Sequence, residues 1–430
     1  MLQSKLINNP TLARRFAWIV CALGALFYCY EYFLRITPSV MMPQLMSAFH
    51  IDATALGTIV SFYYFAYTPM QLPVGITMDR YGPRRLLIFA ALVCACGVFL
   101  FGSPHHIIIA SIGRLMIGFG SAFAFVGVLK LASMWLPPER FALVTGLTMA
   151  LAMVGAMTGD VLVAKFVAIS GWQATIKFSI ITGLILAAVI GLVIPDQPSE
   201  FIKQSAQKKN TYRELFRDTW KLLQNPVIWL NGFVGCFLYM SLSVFGEAWG
   251  PQYLHVAHHL SAQSSANITT AIFLAWAIGC PLIGAMATNL KRTLHFLLIG
   301  SLLTTLFSAL MLYFGELQGF SLYTLIFLFA LASSTQILVF PLAQSLVRHE
   351  MSGTAVAITN MLVMLGGAVF IPMIGKILDY NWDGAMADGI RVYTPHAYTT
   401  ALSMLVIGGA ISFILIMFIK RQLKIKGTLV

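Results

Sequence analysis

The chain has 430 residues, of which 59% are hydrophobic and 10% charged, and a formal net charge of +12. Its mean hydropathy is +0.83. Soluble domains carry roughly 25% charged residues, so this composition excludes a domain that folds in water. The positive charge would suit nucleic acid in a soluble protein. Here it is placed in the connections between apolar segments, so nucleic-acid binding has no support.

Apolar runs of about 20 residues, long enough to cross a bilayer as helices, recur along the chain. We predict twelve: 16–42, 54–78, 86–103, 107–133, 141–165, 173–194, 226–253, 265–288, 294–314, 321–346, 353–377 and 398–420. The first is too long for a removable signal peptide and lacks a small-residue cleavage site. The chain is therefore predicted to be an all-α membrane protein with twelve transmembrane helices.

Segment one contains the most unusual polar residues of the chain. Glu31 and Arg35 are four residues apart and share one helix face, so they can neutralise each other. Tyr28 and Tyr32 lie on nearly the same face as Arg35, whose planar fork matches a carboxylate or phosphate. Charges inside a membrane mark functional sites by default. We expect Arg35, Tyr28 and Tyr32 to bind substrate and Glu31 to couple protons; the alternative is a structural ion pair.

A basic, glycine-marked turn separates segments two and three. It comprises Gly75, Asp79, Arg80, Gly82, Arg84 and Arg85. Glycine lets backbones approach and turn, arginines stay on the cytoplasmic side, and Asp79 can lie against the positive end of another helix. The turn resembles the loop signature of the major facilitator superfamily, in which it forms a conformational gate. The resemblance implies two pseudo-symmetric halves of six helices that work by alternating access.

Segments four and five resemble further motifs of the superfamily. Arg114 precedes closely spaced glycines, and we expect it to orient Glu31 or to bind the anion itself. The glycine-rich segment five carries Asp160 where the antiporter version of this helix has a proline. That departure weakens the prediction of drug/proton antiport. Asp160 and Lys165 are expected to be solvated near the outer end of the segment.

The only long hydrophilic interruption splits the chain into three parts. We predict a six-helix bundle over 1–194, a cytoplasmic tether over 195–224 and a second bundle over 225–430. Most lysines and arginines, including those of the tether, fall on the side that the two termini would share. By the positive-inside rule, both termini are predicted to be cytoplasmic.

Segments one and seven resemble the organophosphate:phosphate antiporters and the related anion:cation symporters, whose first-helix arginine binds the substrate anion. The organophosphate antiporters have a second arginine in helix seven, where this chain has Ser243. One arginine flanked by Glu31 and Glu247 favours a carboxylate or zwitterion over a doubly charged phosphate. Glu247 is either a coupling group or part of a solvated rim.

The second half offers further candidates for the substrate site. Ser243, Gln336 and Asn360 could line the cavity, although Gln336 and Asn360 could equally form hydrogen bonds between helices. His255, His258 and His259 have helical spacing and could hold a metal, but we favour a polar interface cap. All six cysteines fall in apolar segments and are interpreted as packing residues.

Taken together, these patterns predict a secondary transporter and no enzyme, metal site or cofactor. The chain has no phosphate-binding loop with which to hydrolyse ATP. We expect proton-coupled uptake of a small anionic or zwitterionic solute, amino acids and organic acids before organophosphates, by a monomer in a bacterial inner membrane. The alternatives are an efflux proton antiporter for drugs or metabolites and a transporter-like solute sensor.

Overall fold

A computed structural model describes residues 10–103, 107–136, 141–195, 220, 222–287, 289–314, 317–347, 351–387 and 390–425. The helices are α1 (Pro10–Val40), α2 (Ala53–Tyr81), α3 (Pro83–Phe101), α4 (Ile107–Trp135), α5 (Phe141–Ser170), α6 (Trp172–Val193), α7 (Pro226–Ala257), α8 (Ala262–Met286), α9 (Leu290–Tyr313), α10 (Gly319–Ser345), α11 (Ser352–Tyr380) and α12 (Pro395–Ile425). A short helix, Met42–Phe49, links α1 to α2, and a two-stranded hairpin, β1 (Met386–Ala387) and β2 (Ile390–Arg391), precedes α12.

Two of the long helices change their winding partway. In α7 a π-helix, Ser241–Trp249, separates the α-helical stretches Pro226–Met240 and Gly250–Ala257. In α10 a 3₁₀ stretch, Ser334–Leu338, separates Gly319–Ser333 from Val339–Ser345. Such interruptions occur often at functional sites.

The twelve predicted segments correspond to the twelve long helices. Eleven of the described helices are long and apolar enough to cross a membrane. The remaining helix, α2, qualifies together with the short helix Met42–Phe49, from which it is bent by 111°. Many large apolar side chains face outward, as lipid contact requires. The protein is a multi-pass membrane protein.

The helices pack closely where small residues meet neighbouring backbones. A Cβ atom on Gly118 of α4 would overlap the backbone of Tyr63 in α2, and one on Gly155 of α5 would overlap that of Cys29 in α1. Helix α2 also packs along α11, and α5 packs against α8, so the first six helices contact the last six along two seams. The interface between these halves is therefore extensive.

At the far end of the bundle, where α1 ends and α12 begins, polar contacts join the two halves. The Asp379 carboxylate at the end of α11 accepts hydrogen bonds from the backbone N–H of Thr54 at 2.7 Å and from the Thr54 hydroxyl. It also accepts from Arg391 at 3.1 Å and from Tyr393 at 2.5 Å. Arg391 lies 3.5 Å from Asp52. These five residues form the far-end network, which ties α2 to α11 and the hairpin.

The turn between α2 and α3 agrees in part with its prediction. Gly82 has φ +79°, a backbone conformation that favours glycine, and Arg84 donates to the Gly191 carbonyl of α6 at 2.6 Å. At Gly75 none of the described residues lies within 4 Å of a Cβ built there, so the expected close backbone approach is not found among them. Arg85 is exposed. The side chains of Asp79 and Arg80 lie outside the described residues. Residues 196–219 and 221 of the predicted tether lie outside them as well.

Candidate functional site

The centre of the bundle contains the predicted pair of α1, almost fully buried. Glu31 is 0% and Arg35 2% exposed. One carboxylate oxygen, Oε1 of Glu31, accepts from Arg35 Nη2 at 2.5 Å and from Nε at 3.1 Å. The Tyr63 hydroxyl of α2 donates to the same oxygen. The pair forms because residues four apart face each other along one helix.

Arg35 also contacts the second half of the protein. Its Nη1 lies 3.1 Å from the Tyr239 hydroxyl and 3.5 Å from Oε1 of Glu247, both on α7. The second Glu247 oxygen accepts a hydrogen bond from the Tyr64 hydroxyl of α2. Glu247 is only 1% exposed, which rules out the solvated rim, one of the two alternatives that the sequence left open for it. We call these six residues (Glu31, Arg35, Tyr63, Tyr64, Tyr239, Glu247) the central network.

The π-helix explains why Glu247 faces this network. Tyr239 and Glu247 are eight residues apart, so on an α-helix their side chains would point about 80° apart around the axis. The wider winding of Ser241–Trp249 turns Glu247 towards the face of Tyr239. The Tyr239 hydroxyl consequently lies 3.3 Å from Glu247 Oε1. A sequence analysis that assumes α-helical spacing throughout does not find this contact.

Four tyrosine rings surround the Arg35 guanidinium. Its central carbon lies 4.3 Å from the ring centre of Tyr32, 5.0 Å from Tyr63, 5.3 Å from Tyr67 and 5.9 Å from Tyr64. Cations are attracted to aromatic faces at these distances. The arginine is therefore stabilised by rings as well as by carboxylates, in a setting that excludes water.

The sequence analysis missed the contribution of α2 to the site. Tyr63, Tyr64 and Tyr67 fall within one helical turn of an apolar segment, and this spacing was the available signal. Nothing in the sequence indicates that this face of α2 is turned towards α1 and α7 rather than towards lipid. That orientation follows from the packing of α2 against α4 and α11.

Arg114 occupies a different position from the one expected. It is fully buried on α4, and its guanidinium donates to the carbonyl oxygens of Leu34 at 3.2 Å and Val60 at 3.5 Å. Its central carbon also lies 5.3 Å from the ring centre of Tyr63. The contacts found for Arg114 are therefore with the backbones of α1 and α2 and with the rings of Tyr63 and Phe101. Tyr63 in turn binds Glu31, and no direct contact between Arg114 and Glu31 is found among the described residues.

Three other predicted site residues, Tyr28, Ser243 and Gln336, are buried in the bundle and contact residues other than Arg35. The Tyr28 ring packs 5.2 Å from that of Tyr32, and its hydroxyl is 3.8 Å from the Met149 sulfur. Ser243 donates to the Tyr239 carbonyl of its own helix at 3.2 Å. Gln336 is buried within the 3₁₀ stretch of α10.

Asn360 forms a contact between helices. It donates to Gln71 of α2 at 3.0 Å, towards the end of the bundle where α1 begins. This is the interhelical alternative that the sequence left open. This hydrogen bond lies between α2 and α11 and therefore joins the two halves. The central network lies between this bond and the far-end network.

Asp160 differs most from its prediction. It is 0% exposed, whereas the sequence analysis placed it in solvent, and neither of its oxygens has a hydrogen-bond partner. Its neighbour Gly159 packs on Phe33 and Ile36 of α1, and this close packing accounts for the burial. Lys165, one turn further on, is exposed as predicted.

The histidines near the end of α7 bind backbone carbonyl groups. His255 Nδ1 lies 2.5 Å from the Leu260 oxygen, and His258 Nδ1 lies 3.1 Å from that of Leu317. Burial lowers the pKa of His258, the Leu317 carbonyl raises it and the neighbouring His259 lowers it, for a net decrease. Within the described ranges no three histidine, cysteine or acidic side chains are grouped so as to hold a metal.

A buried charge network joins the two groups of membrane-spanning helices, and charges inside a membrane mark functional sites. The model of the Major Facilitator Superfamily matches residues 21–371, and the chain belongs to this superfamily. It is therefore a transporter and not an enzyme. The predicted fold class, an all-α membrane protein with the fold of this superfamily, is confirmed.

Curated relatives include several transporters of acids. The chain is 24% identical to the probable sulfoacetate transporter SauU of Cupriavidus necator, over 64% of this chain and 66% of the relative. It is 26% identical to the hexuronate transporter of Bacillus subtilis, over 58% of each chain. It is 23% identical to the probable L-galactonate transporter of Escherichia coli, over 64% and 62%. The matches thus span about two thirds or less of each relative.

Solved structures resemble almost the whole chain. A bacterial homologue of the human lysosomal transporter Spinster, in an inward-facing and unoccupied conformation, superposes with a TM-score of 0.77 at 14% identity, over 94% of this chain and 98% of that one. A mutant of the nucleoside transporter NupG gives a TM-score of 0.69 at 15% identity, over 94% and 99%. At these identities the likeness concerns the fold alone.

Proposed function

We propose that the protein takes up a small organic acid together with protons and that the acid's anionic group binds Arg35. The observation that carries this proposal is a single guanidinium, buried where α1, α2 and α7 meet and bonded to both halves. Arginine suits this role because its planar fork holds a carboxylate or sulfonate in a fixed orientation. A group that contacts both halves can also respond to their relative movement.

The charges of the site favour a small acid with few charges. Glu31 and Glu247 both contact Arg35, so two carboxylates already face one guanidinium. A phosphate dianion would add two further negative charges, which a low-dielectric site disfavours. A carboxylic or sulfonic acid adds fewer. Two of the relatives are named as transporters of hexuronate and L-galactonate, acids with a single negative charge, and these names support this choice.

Aromatic rings and hydroxyl groups support a hydroxylated substrate. Tyr63, Tyr64 and Tyr239 present hydroxyls around the guanidinium, and Tyr32 and Tyr67 present ring faces. Hydroxyls can exchange their present partners for those of a sugar acid. We place organic acids first, amino acids second because both carboxylates that could meet an ammonium are engaged with Arg35, and organophosphates third.

Proton coupling follows from the same charge balance. An anion can bind Arg35 favourably only if one of the two carboxylates becomes neutral or moves away. Glu31 has one buried oxygen, Oε2, with no hydrogen-bond partner, which is available for a proton. Glu247 contacts Arg35 from the other half. Either carboxyl can therefore carry the coupled proton. Both termini lie in the cytoplasm in this proposal, and protons that enter the cell with the acid drive its uptake.

Uptake into vesicles of purified protein tests this proposal. We expect labelled D-glucuronate or L-galactonate to accumulate only when protons flow in the same direction, and Arg35→Gln to abolish both accumulation and binding. Lys165→Gln serves as the matched control, because Lys165 is a cation on a membrane helix that is exposed rather than buried. Accumulation of lipophilic cations against the proton flow, unaffected by Arg35→Gln, would contradict the proposal and indicate efflux. Binding without transport would indicate a sensor.

A further inference from the structure

We propose that Glu247 occupies the position of the substrate's anionic group, so that substrate and Glu247 compete for Arg35. This inference rests on the proposed function and adds a specific exchange to it. In the structure the anion-binding guanidinium is already bonded to a carboxylate of the other half. The substrate must therefore displace Glu247, and the two carboxylates beside Arg35 have different roles.

The geometry distinguishes the two carboxylates. Glu31 lies on the same helix as Arg35 and binds it at 2.5 Å, so this contact persists when the halves move. Glu247 lies on the other half, and the distance between its Oε1 and Arg35 Nη1 is 3.5 Å. This distance is longer than the roughly 2.7–2.9 Å of a strong charge-assisted hydrogen bond. Because it is the longer contact and the one that crosses between halves, the Arg35–Glu247 contact is the one that opens.

The guanidinium atoms are divided in the same way. Nε and Nη2 of Arg35 face Glu31 and Tyr63, whereas Nη1 faces Tyr239 and Glu247. An incoming carboxylate or sulfonate can therefore bind Nη1 while the Glu31 contacts remain intact. Glu31 is then the permanent counter-ion of Arg35, and the side of the guanidinium that faces α7 is the substrate side.

Displacement leaves Glu247 without a cationic partner. It would lose Arg35, its one cationic contact among the described residues, and keep only the hydroxyl donors Tyr239 of its own helix and Tyr64 of α2. A buried carboxylate without a counter-ion takes up a proton. One proton on Glu247 for each monoanion on Arg35 leaves the net charge of the site unchanged, so the exchange couples one proton to one negative charge. The same exchange breaks a contact between the halves.

Binding measurements at several pH values test the exchange. Purified protein is titrated calorimetrically with D-glucuronate and with L-galactonate, both monoanions, between about pH 5.5 and about pH 8. For the wild type we expect the affinity for a monoanion to fall by up to about tenfold per pH unit, because the exchange takes up one proton for each anion bound. Glu247→Gln cannot be charged and so should bind the acids tightly at high pH, with little pH dependence. Glu31→Gln should keep the dependence.

Controls separate this inference from the proposed function. Asp383→Asn changes an exposed acid outside the site and should bind as the wild type does. If Glu247→Gln does not fold, Tyr64→Phe removes one donor to Glu247 and should raise the affinity at neutral pH by weakening the competitor. A wild-type pH dependence in Glu247→Gln, or an unchanged affinity in Tyr64→Phe, would overturn the exchange and leave the proposed function standing. Unchanged binding by Arg35→Gln, or no binding of either acid to the wild type, would overturn both.

Discussion

The far-end network should determine how readily the two halves separate. Asp379 is its centre, because it binds the Thr54 backbone and hydroxyl across the interface and Arg391 and Tyr393 on its own side. Asp379→Asn removes the negative charge and retains one acceptor. Hydrogen bonds to a charged group contribute about 1.5–3 kcal/mol. Asp379 is only slightly exposed, at 12% of its side chain, so a loss of about 2 kcal/mol is reasonable.

That loss has a measurable consequence for the conformational equilibrium. About 2 kcal/mol corresponds to a roughly thirtyfold shift from the state closed at the far end towards the open state. Spin labels at Ile169 of α5 and Phe320 of α10, both highly exposed at the far end, report the distance between the halves. We expect a single short distance in the wild type and an added longer one in Asp379→Asn.

A matched variant tests whether the effect belongs to the network. Asp383 lies at the same end of the protein but is exposed, and its carboxylate accepts a hydrogen bond from the backbone N–H of Ala385 within its own loop. Asp383→Asn should leave the distance distribution unchanged. If Asp379→Asn and Asp383→Asn give the same distribution as the wild type, the far-end network does not hold the halves together and the reasoning fails.

Two further predictions concern packing and pH. Gly118→Ala places a methyl group against the α2 backbone beside the central network, so it should lower both the melting temperature and the affinity for the acid. Gly75→Ala, with open space around it among the described residues, should change neither. Equal effects of the two substitutions would contradict the packing. Because the pKa of His258 is lowered, the folded protein binds fewer protons at this site than the unfolded chain. His258 therefore contributes to the free energy of unfolding above about pH 6.5, and this contribution is lost as the pH falls through the folded-state pKa. The melting temperature should therefore fall less on acidification in His258→Gln than in the wild type; parallel curves would refute this.

Some features of the protein follow from local sequence alone. The twelve helices were predicted because the length and apolarity of a segment are sufficient for it to cross a bilayer. The contact between Glu31 and Arg35 was predicted because residues four apart on an α-helix are neighbours in any tertiary fold. The need for a turn at Gly82 followed in the same way, since its positive φ is a local requirement of the short connection.

The composition of the site depended on tertiary structure. Glu247 looks like a rim residue in sequence, but the π-helix turns it towards Arg35, and π-winding has a period that sequence spacing does not reveal. Asp160 is buried because α5 packs on α1, and Arg114 binds backbones because α4 lies behind α1 and α2. Sequence determines which residues share a helix face. Which helices those faces meet is decided by packing between distant segments, and that packing brings together the two halves of the central network.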